Sequence, residues 1–339
     1  MTAGAHSLEP TAPAGGFTPI LDAETRRDVR RRTVSGRRRV FDRSGRFVLW
    51  ATVIVTAIPL TAIIVVLIAK GAHLLNWHFF TGDIPAVTGQ SSQGCADISE
   101  AFRAKYGMDC SPPRPAMGPA IIGTLLSTGI AALIAIPLGI LGAVYLNEFS
   151  PRARLARTIR FFSDVMTGVP SIVMGMFIYT VWVVRLGTDG RSAFAAALAL
   201  ACLMLPIVVR TSEEMLRTVP DELRHAGLAL GGRRWHGIVR IVLPTALPGL
   251  TSGAILAVVR AAGETAPVLF TIGITLTPNV SPTGGNTTLA QQIYNGAKSG
   301  DRLANELAWG AALTLVLVVF ILTAIARFAT SRFTRSLEG

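Results

Sequence analysis

The sequence predicts an all-α membrane protein with six transmembrane helices. Half of its 339 residues are hydrophobic, the mean hydropathy is +0.50 and only 15% of residues are charged, against about 25% in a typical soluble domain. Apolar runs of the roughly 20 residues that a bilayer requires recur along the chain. We place the six spans at residues 47–69, 120–146, 161–184, 192–209, 247–274 and 307–326.

The distribution of basic residues predicts the topology. Of the 32 Lys and Arg residues, 23 lie in segments that this span order assigns to the cytosol and eight lie in the loops on the other side. Such a bias is the positive-inside rule, and it predicts that both termini are cytosolic. A net charge of +12 can also indicate nucleic-acid binding. Because the basic residues border apolar spans in blocks, we expect contact with membrane lipid and not with nucleic acid.

The N-terminal part of the chain is a polar tail followed by a span and a long loop. Ten arginines lie between Arg26 and Arg46, and this cytosolic tail either only fixes topology or also binds anionic lipid head groups. No cleavable signal peptide is visible in it. The loop after the first span carries Cys95 and Cys110, which we expect to form a disulfide outside the cell. Cys202 lies in an apolar run and is interpreted as a packing residue.

Small residues and helix breakers characterise the middle of the chain. The second span is rich in Gly, Ala, Ser and Thr, which let membrane helices approach closely. The third span contains Gly168-Val-Pro-Ser-Ile-Val-Met-Gly175 and is expected to be kinked or broken. In the last outer loop, residues 289–297 are expected to form a short helix. The domain division that follows is tail 1–46, first span and loop 47–118, transport domain 119–330 and cytosolic tail 331–339.

One ionic pair interrupts the apolar run of the fifth span. Between Pro248 and Ile274 the only charged residues are Arg260 and Glu264. An Arg at the centre of a spanning helix costs about 2.5–3.5 kcal/mol on the insertion scale. The spacing i, i+4 brings the two side chains to one helix face. The pair is therefore either a neutralised structural contact between helices or an anion site on a transport path.

The cytosolic segment between spans four and five has helical features. Pro220 suits the start of a helix, Asp221 and Glu222 suit its first turn, and Gly231-Gly232 is a stop signal. A second helix then re-enters the membrane. From these residues alone, the segment at 221–235 is either a plain connector or a docking helix.

This segment resembles the EAA loop of ABC importer permeases, in which a short helix docks on the ATP-hydrolysing subunit. Two residues depart from the family pattern: His225 stands where the family has Glu, and Gly227 stands where it has the second Ala. Glu222, three residues earlier, can replace the missing carboxylate. The matching positions are His225, Ala226, Gly227, Gly231, Ile241, Leu243 and Pro244.

The flanking segments resemble the PstA-type permeases of bacterial phosphate importers, and the likeness covers residues 118–330. It rests on four stretches: Pro137-Leu-Gly, Tyr145-Leu-Asn-Glu148, Leu205-Pro-Ile-Val-Val-Arg-Thr-Ser-Glu-Glu-Met-Leu216 and Arg260-Ala-Ala-Gly-Glu-Thr-Ala-Pro267. The resemblance implies the type I ABC importer permease fold with a cytosolic coupling helix, in the cytoplasmic membrane. It also implies a PstC-type permease partner, a dimeric PstB-type ATPase that binds ATP and Mg, and an extracytoplasmic PstS-type phosphate-binding protein.

By the same resemblance, Arg210 and Arg260 are the transport arginines of this subunit. The guanidinium fork can meet two oxygens of a tetrahedral anion at once. Glu264 is expected to orient Arg260 and to offset its charge when the path is empty. Arg210, at the cytosolic end of span four, is equally placed to be a flanking positive charge.

Three other classes compete with phosphate import. An ABC permease for another oxyanion, such as sulfate or molybdate, shares the docking segment. A secondary transporter would need no docking segment. A membrane enzyme would need chemistry that the sequence lacks: there is no His/Glu metal-ligand spacing, no Ser/His nucleophile arrangement and no phosphate loop. We therefore expect no cofactor and no metal in this chain, and ATP hydrolysis in a partner subunit.

Overall fold

The computed structural model of the protein describes residues 36–85, 114–149, 153–229 and 231–338. These residues form helices joined by loops, as the sequence predicts, and a long loop connects Thr271 to Leu289. Cys95 and Cys110, with their predicted disulfide, lie outside the described residues. So does most of the predicted cytosolic tail, up to residue 35.

The chain divides into two units, residues 1–63 and 64–339. The described part of the first unit is the beginning of one helix, α1 (Gly36–Gly71), with Pro59 inside it. Its side chains from Phe47 onward are mostly large, apolar and exposed. An exposed apolar surface of this kind suits contact with lipid chains, so the helix fits the predicted first span.

The second unit contains the remaining helices. Wide π turns extend or join several of them, at Tyr145–Phe149, Tyr179–Val183 and Ile238–Val242. The helices are α2 (Trp77–Thr81), α3 (Gly118–Val144), α4 (Arg154–Gly168), α5 (Ser171–Ile178), α6 (Ala193–Arg217), α7 (Asp221–Ala229), α8 (Arg234–Gly237), α9 (Leu243–Ala262), α10 (Ala266–Thr271), α11 (Leu289–Lys298) and α12 (Arg302–Glu338).

Among the described residues, five helices are long and apolar enough to cross a membrane, and a bent pair makes a sixth. The five are built on α1, α3, α6, α8–α9 and α12. Most of them extend past the predicted span limits, because polar residues continue each helix beyond the apolar run. The predicted short helix in the last outer loop is confirmed as α11.

The predicted third span is not one straight helix. Helix α4 begins at Arg154, inside the segment predicted to be a loop, and α4 and the helix that follows it meet at 106°. Val169 at the break has an extended backbone, with φ −72° and ψ 131°. The cause is Pro170, which disfavours a helical conformation at the residue before it and has no N–H to donate.

The predicted fifth span also differs from the structure. Its helix ends at Ala262 and not at Ile274, and a short helix, α10, follows after a break at residues 263–265. Pro267 within the first turn of α10 explains the break, since proline is tolerated at a helix start and not in a helix interior. Arg260 therefore lies in the last turn of α9, and Glu264 lies just past its end.

Small residues bring the central helices together. The main core contains Ala131 and Ala135 of α3, Ala197 of α6 and Ala257 and Ala261 of α9, all buried. A Cβ added to Gly139 of α3 would approach Val208 Cγ1 of α6 to 2.6 Å. Another added to Gly175 of α5 would approach Pro267 Cα of α10 to 2.5 Å. These contacts confirm the predicted role of small residues in close helix packing.

A polar cluster joins the loop before α11 to the bundle. The Leu289 backbone N–H donates to Thr124 Oγ1 at 2.9 Å, and the Asn286 N–H donates to Ile272 O at 2.9 Å. Gln291 Nε2 donates to the Gly273 carbonyl at 2.9 Å. We call this side of the bundle, defined by residues 271–291 and by Thr124, the loop end. Its buried hydrogen bonds fix the loop, because an unpaired polar group there would be costly.

The contact between Gly123 and the Thr287 carbonyl gives the first testable prediction. A Cβ at position 123 would overlap that backbone oxygen, which cannot move away without breaking the loop end. We expect Gly123→Ala to lower the stability of the bundle by about 1–3 kcal/mol, the usual cost of overpacking. The midpoint of SDS-induced unfolding of the purified chain measures this loss.

Gly129 lies on the same helix and provides the matched control. No atom of the described residues lies within 4 Å of a Cβ built there. Gly129→Ala should change the stability by no more than about 1 kcal/mol, in either direction. Equal midpoints for the two alanine variants would contradict the close contact between α3 and the loop end.

Candidate functional site

The candidate transport residues lie on α6 and α9, which pack antiparallel. Thr211 of α6 lies against Gly253 of α9, and Met215 lies against Gly249. Arg260 is seven residues beyond Gly253, whereas Arg210 is next to Thr211. With a rise of 1.5 Å per residue, the two arginines are separated along the helix axes by roughly 10 Å. Arg260 lies on the side of the loop end. Arg210 lies at the opposite end, which we call the arginine end and define by the described residues of 145–164 and 210–240.

Arg260 forms an ion pair with Glu264, as the i, i+4 spacing predicts. Arg260 Nε lies 3.5 Å from Glu264 Oε1, and the Arg260 side chain is 66% exposed while that of Glu264 is 22% exposed. The guanidinium is therefore accessible, and its counter-ion is the more buried partner. A negatively charged molecule could reach Arg260 without displacing protein backbone.

The helix face around Arg260 differs from a lipid-facing surface. The exposed positions of α9 recur every three or four residues and are mostly small or polar: Thr245, Pro248, Ser252, Leu256 and Arg260, followed by Gly263. On α12, by contrast, the exposed residues include Val316, Phe320, Ile321, Ile325 and Phe328. Because hydrocarbon favours large apolar side chains, the α9 face suits contact with another protein surface or with water.

A cavity of about 390 Å³ lies beside this face, between α6, α9 and α12. Ser252 and Leu256 of α9 line it, together with Glu214 of α6 and Arg327 of α12. Glu214 and Arg327 place one negative and one positive charge on its wall, so the cavity offers an anion no net positive charge. The open surface around Arg260 is therefore the better place for a negatively charged ligand.

Arg210 is engaged by acidic side chains at the arginine end. Its guanidinium donates to Asp164 Oδ1 of α4, from Nε at 2.7 Å and also from Nη2. Arg210 Nη1 lies 3.6 Å from Glu213 Oε2. The Arg210 side chain is 36% exposed, and that of Asp164 is 52% exposed. Like Arg260, this arginine has a carboxylate partner and remains partly accessible.

Glu213 is the buried centre of a larger charge cluster. Its side chain is only 2% exposed, and Oε1 accepts from Arg160 Nε at 2.7 Å and from Arg217 Nη2 at 2.6 Å. Arg160 also donates to the Leu146 carbonyl at 2.8 Å. The cluster joins the end of α3, helix α4 and helix α6. A buried carboxylate requires such partners, because leaving it unpaired would cost several kcal/mol.

The predicted docking segment forms two helices separated by a glycine turn, as the sequence indicates. Helix α7 ends at Ala229, just before the predicted stop signal at Gly231-Gly232, and the short helix α8 follows. Gly231 has a φ of +76°, a conformation that favours glycine. Glu222, His225 and Ala226 are all exposed on α7. The far motif residues Ile241, Leu243 and Pro244 lie where the π turn meets α9.

Gly227 faces the bundle and not the solvent. A Cβ at this position would lie 3.0 Å from Ile241 Cδ1, the flexible tip of a side chain. The glycine therefore lets α7 and the π turn approach slightly more closely than the family's alanine would. Because the tip of the Ile241 side chain can move, the difference between glycine and alanine at position 227 affects only the local spacing between α7 and the π turn. The position of α7 does not depend on it.

Arg224 of α7 makes the most extensive contacts of the docking segment. Its Nη2 lies 3.0 Å from Glu148 Oε1, and its Nη1 lies 2.8 Å from Asp221 Oδ1. Burial lowers the pKa of Arg224, but the hydrogen bonds and charges of Glu148 and Asp221 outweigh it, so the pKa ends above its ordinary value. The charge is therefore permanent at any physiological pH.

Several residues of the arginine end were not predicted as site residues: Arg160, Asp164, Glu213 and Arg224. The spacing of Arg210, Glu213 and Arg217 at i, i+3 and i+7 is a local signal that could have identified Glu213. Asp164 and Arg160 are 46 and 53 residues from their partners along the chain. No local pattern in one sequence reveals contacts of that kind.

The chain was compared with known proteins. Residues 135–337 match the family described as binding-protein-dependent transport system inner membrane component. The phosphate transport system permease protein PstA 1 of Mycobacterium tuberculosis (strain CDC 1551 / Oshkosh) is 47% identical over 217 residues, 63% of this chain and 71% of that protein. The phosphate transport system permease protein PstA of Mycobacterium leprae (strain TN) is 37% identical over 290 residues, 85% of this chain and 88% of that protein.

A solved structure supports the fold. A chain from the crystal structure of a bacterial ABC transporter involved in the import of the acidic polysaccharide alginate aligns with a TM-score of 0.55 and 16% identity. The alignment covers 87% of this chain and 99% of that one. At this identity the likeness concerns the fold alone. The family match and the two relatives show that this chain belongs to the binding-protein-dependent transport system inner membrane components. Within that family it is a PstA-type permease.

Proposed function

We propose that this chain is the transmembrane permease subunit of an ATP-driven importer of inorganic phosphate. The observation that carries the proposal is Arg260: an accessible guanidinium on a small and polar helix face, paired with a partly buried carboxylate. The names of the relatives, which are phosphate transport system permease proteins, supply the substrate. The comparisons give no support to sulfate or molybdate.

Phosphate would pass Arg260 by exchange of ionic partners. A tetrahedral oxyanion can accept two parallel hydrogen bonds from the guanidinium fork, which the single 3.5 Å approach of Glu264 does not fully use. Glu264 neutralises the arginine while the path is empty, and the anion replaces it during passage. Because of this exchange, the Arg260 guanidinium always has an anionic partner within the membrane.

Arg210 would provide a second station, roughly 10 Å closer to the arginine end. Its contact with Asp164 is again a pair of one guanidinium and one carboxylate, although here the carboxylate is the more exposed partner. The same carboxylate exchange could therefore operate twice along the path. In this role, Arg210 binds the passing anion and is not only a flanking positive charge that fixes the topology.

The orientation and the partners follow from the same proposal. We place the arginine end and both termini in the cytosol, as the positive-inside rule requires. The exposed residues of α7 would then contact a dimeric PstB-type ATPase, which binds ATP and Mg and hydrolyses the nucleotide. A PstC-type permease would cover the polar face of α9, and a PstS-type binding protein would deliver phosphate at the loop end.

Replacement of Arg260 tests the path directly. In the complete importer reconstituted in proteoliposomes, Arg260→Ala should reduce phosphate uptake by at least roughly tenfold. Each charge-assisted hydrogen bond contributes about 1.5–3 kcal/mol, which corresponds to roughly 10- to 150-fold. The amount of complex recovered should stay unchanged.

The matched control is Arg302→Ala. Arg302 is also an arginine paired with a glutamate four residues later, but it lies at the start of α12 and its side chain is 93% exposed. This variant should transport at the wild-type rate. Wild-type uptake by the Arg260→Ala complex would refute the assignment of Arg260 to the path.

Anion competition tests the substrate. Unlabelled phosphate should suppress uptake of labelled phosphate, and sulfate or molybdate at the same concentration should leave it unchanged. The reason is that a protonated phosphate can donate a hydrogen bond to a carboxylate such as Glu264, whereas a fully ionised sulfate cannot. Equal suppression by sulfate would favour the other oxyanion class.

A charged substitution tests the docking face of α7. Ala226 is exposed at the centre of this helix, and Ala226→Arg should prevent copurification of the ATPase because a long cation cannot fit a close helix contact. Arginine introduced at the exposed Tyr294 of α11, next to the loop end, should have no effect on copurification. If only the Tyr294→Arg variant lost the ATPase, the ATPase would bind at the loop end, and the proposed orientation would be wrong.

A further inference from the structure

Helix α7 has few means of transmitting force to the bundle. Within Asp221–Ala229, all of which the structure describes, no residue is buried. Arg224 and Gly227 are the least exposed positions of the helix, and Gly227 has no side chain. Apolar packing, which holds the other helices in place, therefore contributes little to the attachment of this one.

The space beneath α7 is also incompletely filled. A cavity of about 130 Å³ lies between His225 and Leu228 on one side and Gly237, Ile238 and Val242 on the other. Glu148 and Arg224 form part of its wall. A gap of this size weakens direct contact between the helix and the bundle, because dispersion attraction falls steeply with distance.

The side chain of Arg224 spans this weakly packed region. Its Nη1 donates to the Val219 carbonyl at 2.6 Å and its Nη2 to the Leu216 carbonyl at 2.7 Å. These carbonyls lie at the end of α6, where a helix leaves acceptors without intrahelical partners. The same guanidinium contacts Glu148 in the π turn after α3. One side chain thus joins α7 to the ends of two spanning helices.

Glu148 is itself held in position. Its side chain is only 8% exposed, and Asn147 Nδ2 donates to Glu148 Oε1 at 2.8 Å. The adjacent core, with Val144, Leu216, Val219 and Ile238, packs the end of α3 against the end of α6. The carboxylate is therefore a fixed point of the bundle and not a mobile surface group.

We propose that Arg224, held by Glu148, is the positioning residue that transmits displacement of α7 to α3 and α6. The inference rests on the proposed function, in which an ATPase moves α7. Because Leu216 is six residues from Arg210, the guanidinium acts roughly 9 Å from a candidate transport residue on the same helix. Loosening this link disconnects ATP hydrolysis from phosphate movement without removing either activity from the complex.

Two conservative substitutions test the link in the complete importer, reconstituted in proteoliposomes with its binding protein. Arg224→Lys keeps the charge, but one ammonium cannot reach Glu148 and both carbonyls in the fixed geometry of the fork. Glu148→Gln keeps the shape and removes the charge. For each variant we expect the ATPase to copurify and to hydrolyse ATP at nearly the wild-type rate. The ATP consumed per phosphate imported should rise about tenfold, as the loss of one charge-assisted hydrogen bond allows.

Arg302→Lys is the control for the substitution itself, since it alters a surface Arg–Glu pair at the other end of the bundle. Its ratio of ATP to phosphate should equal that of the wild type. An unchanged ratio in both Arg224→Lys and Glu148→Gln would overturn the inference. Loss of the ATPase from these complexes would also overturn it, because Arg224 would then support docking alone. Absence of uptake by the wild-type complex would instead refute the proposed function.

A covalent replacement of the link separates force transmission from general stability. In a background with Cys95, Cys110 and Cys202 replaced, Glu148→Cys and Arg224→Cys are combined and joined by a short thiol-specific cross-linker. The cross-link should return the ratio of ATP to phosphate toward that of the background protein. A ratio that stays high after complete cross-linking would show that the connection between α7 and α3 does not carry the displacement.

Discussion

Pairing between guanidinium and carboxylate groups holds the arginine end together. Glu213 is buried among Arg160, Arg217 and Arg210, and Glu148 receives Arg224. Removing one partner from a buried pair costs about 3–5 kcal/mol, so each carboxylate fixes the helices that supply its arginines. These few charges act together with the apolar core between the ends of α3 and α6 to locate the ends of α3, α4, α6 and α7.

Small residues provide the complementary constraint inside the bundle. Where Gly139 meets Val208 and Gly175 meets Pro267, backbones approach so closely that a methyl group would not fit. In a membrane, such close contacts replace the hydrophobic effect as the source of helix association. The exposed face of α9 also consists mostly of small or polar residues, and this face carries Arg260. The close packing of α9 is therefore compatible with the proposed role of Arg260 in transport.

The sequence predicts the helical class, the number of candidate spans and the contact of Arg260 with Glu264, because hydropathy and i, i+4 spacing are local properties. It also predicts the break near Pro170, although not its angle of 106°. The long-range partners of Arg210 and Arg224 could not be predicted. Asp164 and Glu148 approach them only after the whole bundle has formed, and a single sequence carries no signal for such contacts.

The two ends of the bundle differ in how firmly they are built. At the loop end, a backbone N–H from residue 289 and a side-chain amide from residue 291 lock the connecting segment against α3 and the turn at Gly273. At the other end, α7 is a nine-residue helix without a buried side chain, and apart from its chain connections it is held to the ends of α3 and α6 mainly by the Arg224 guanidinium. A rigid helix that is held at one end and displaced at the other tilts about the held end. In the proposed mechanism, displacement applied through α7 would tilt the spanning helices about a pivot beside Thr124, with the widest excursion at the ends of α3 and α6 that contact α7.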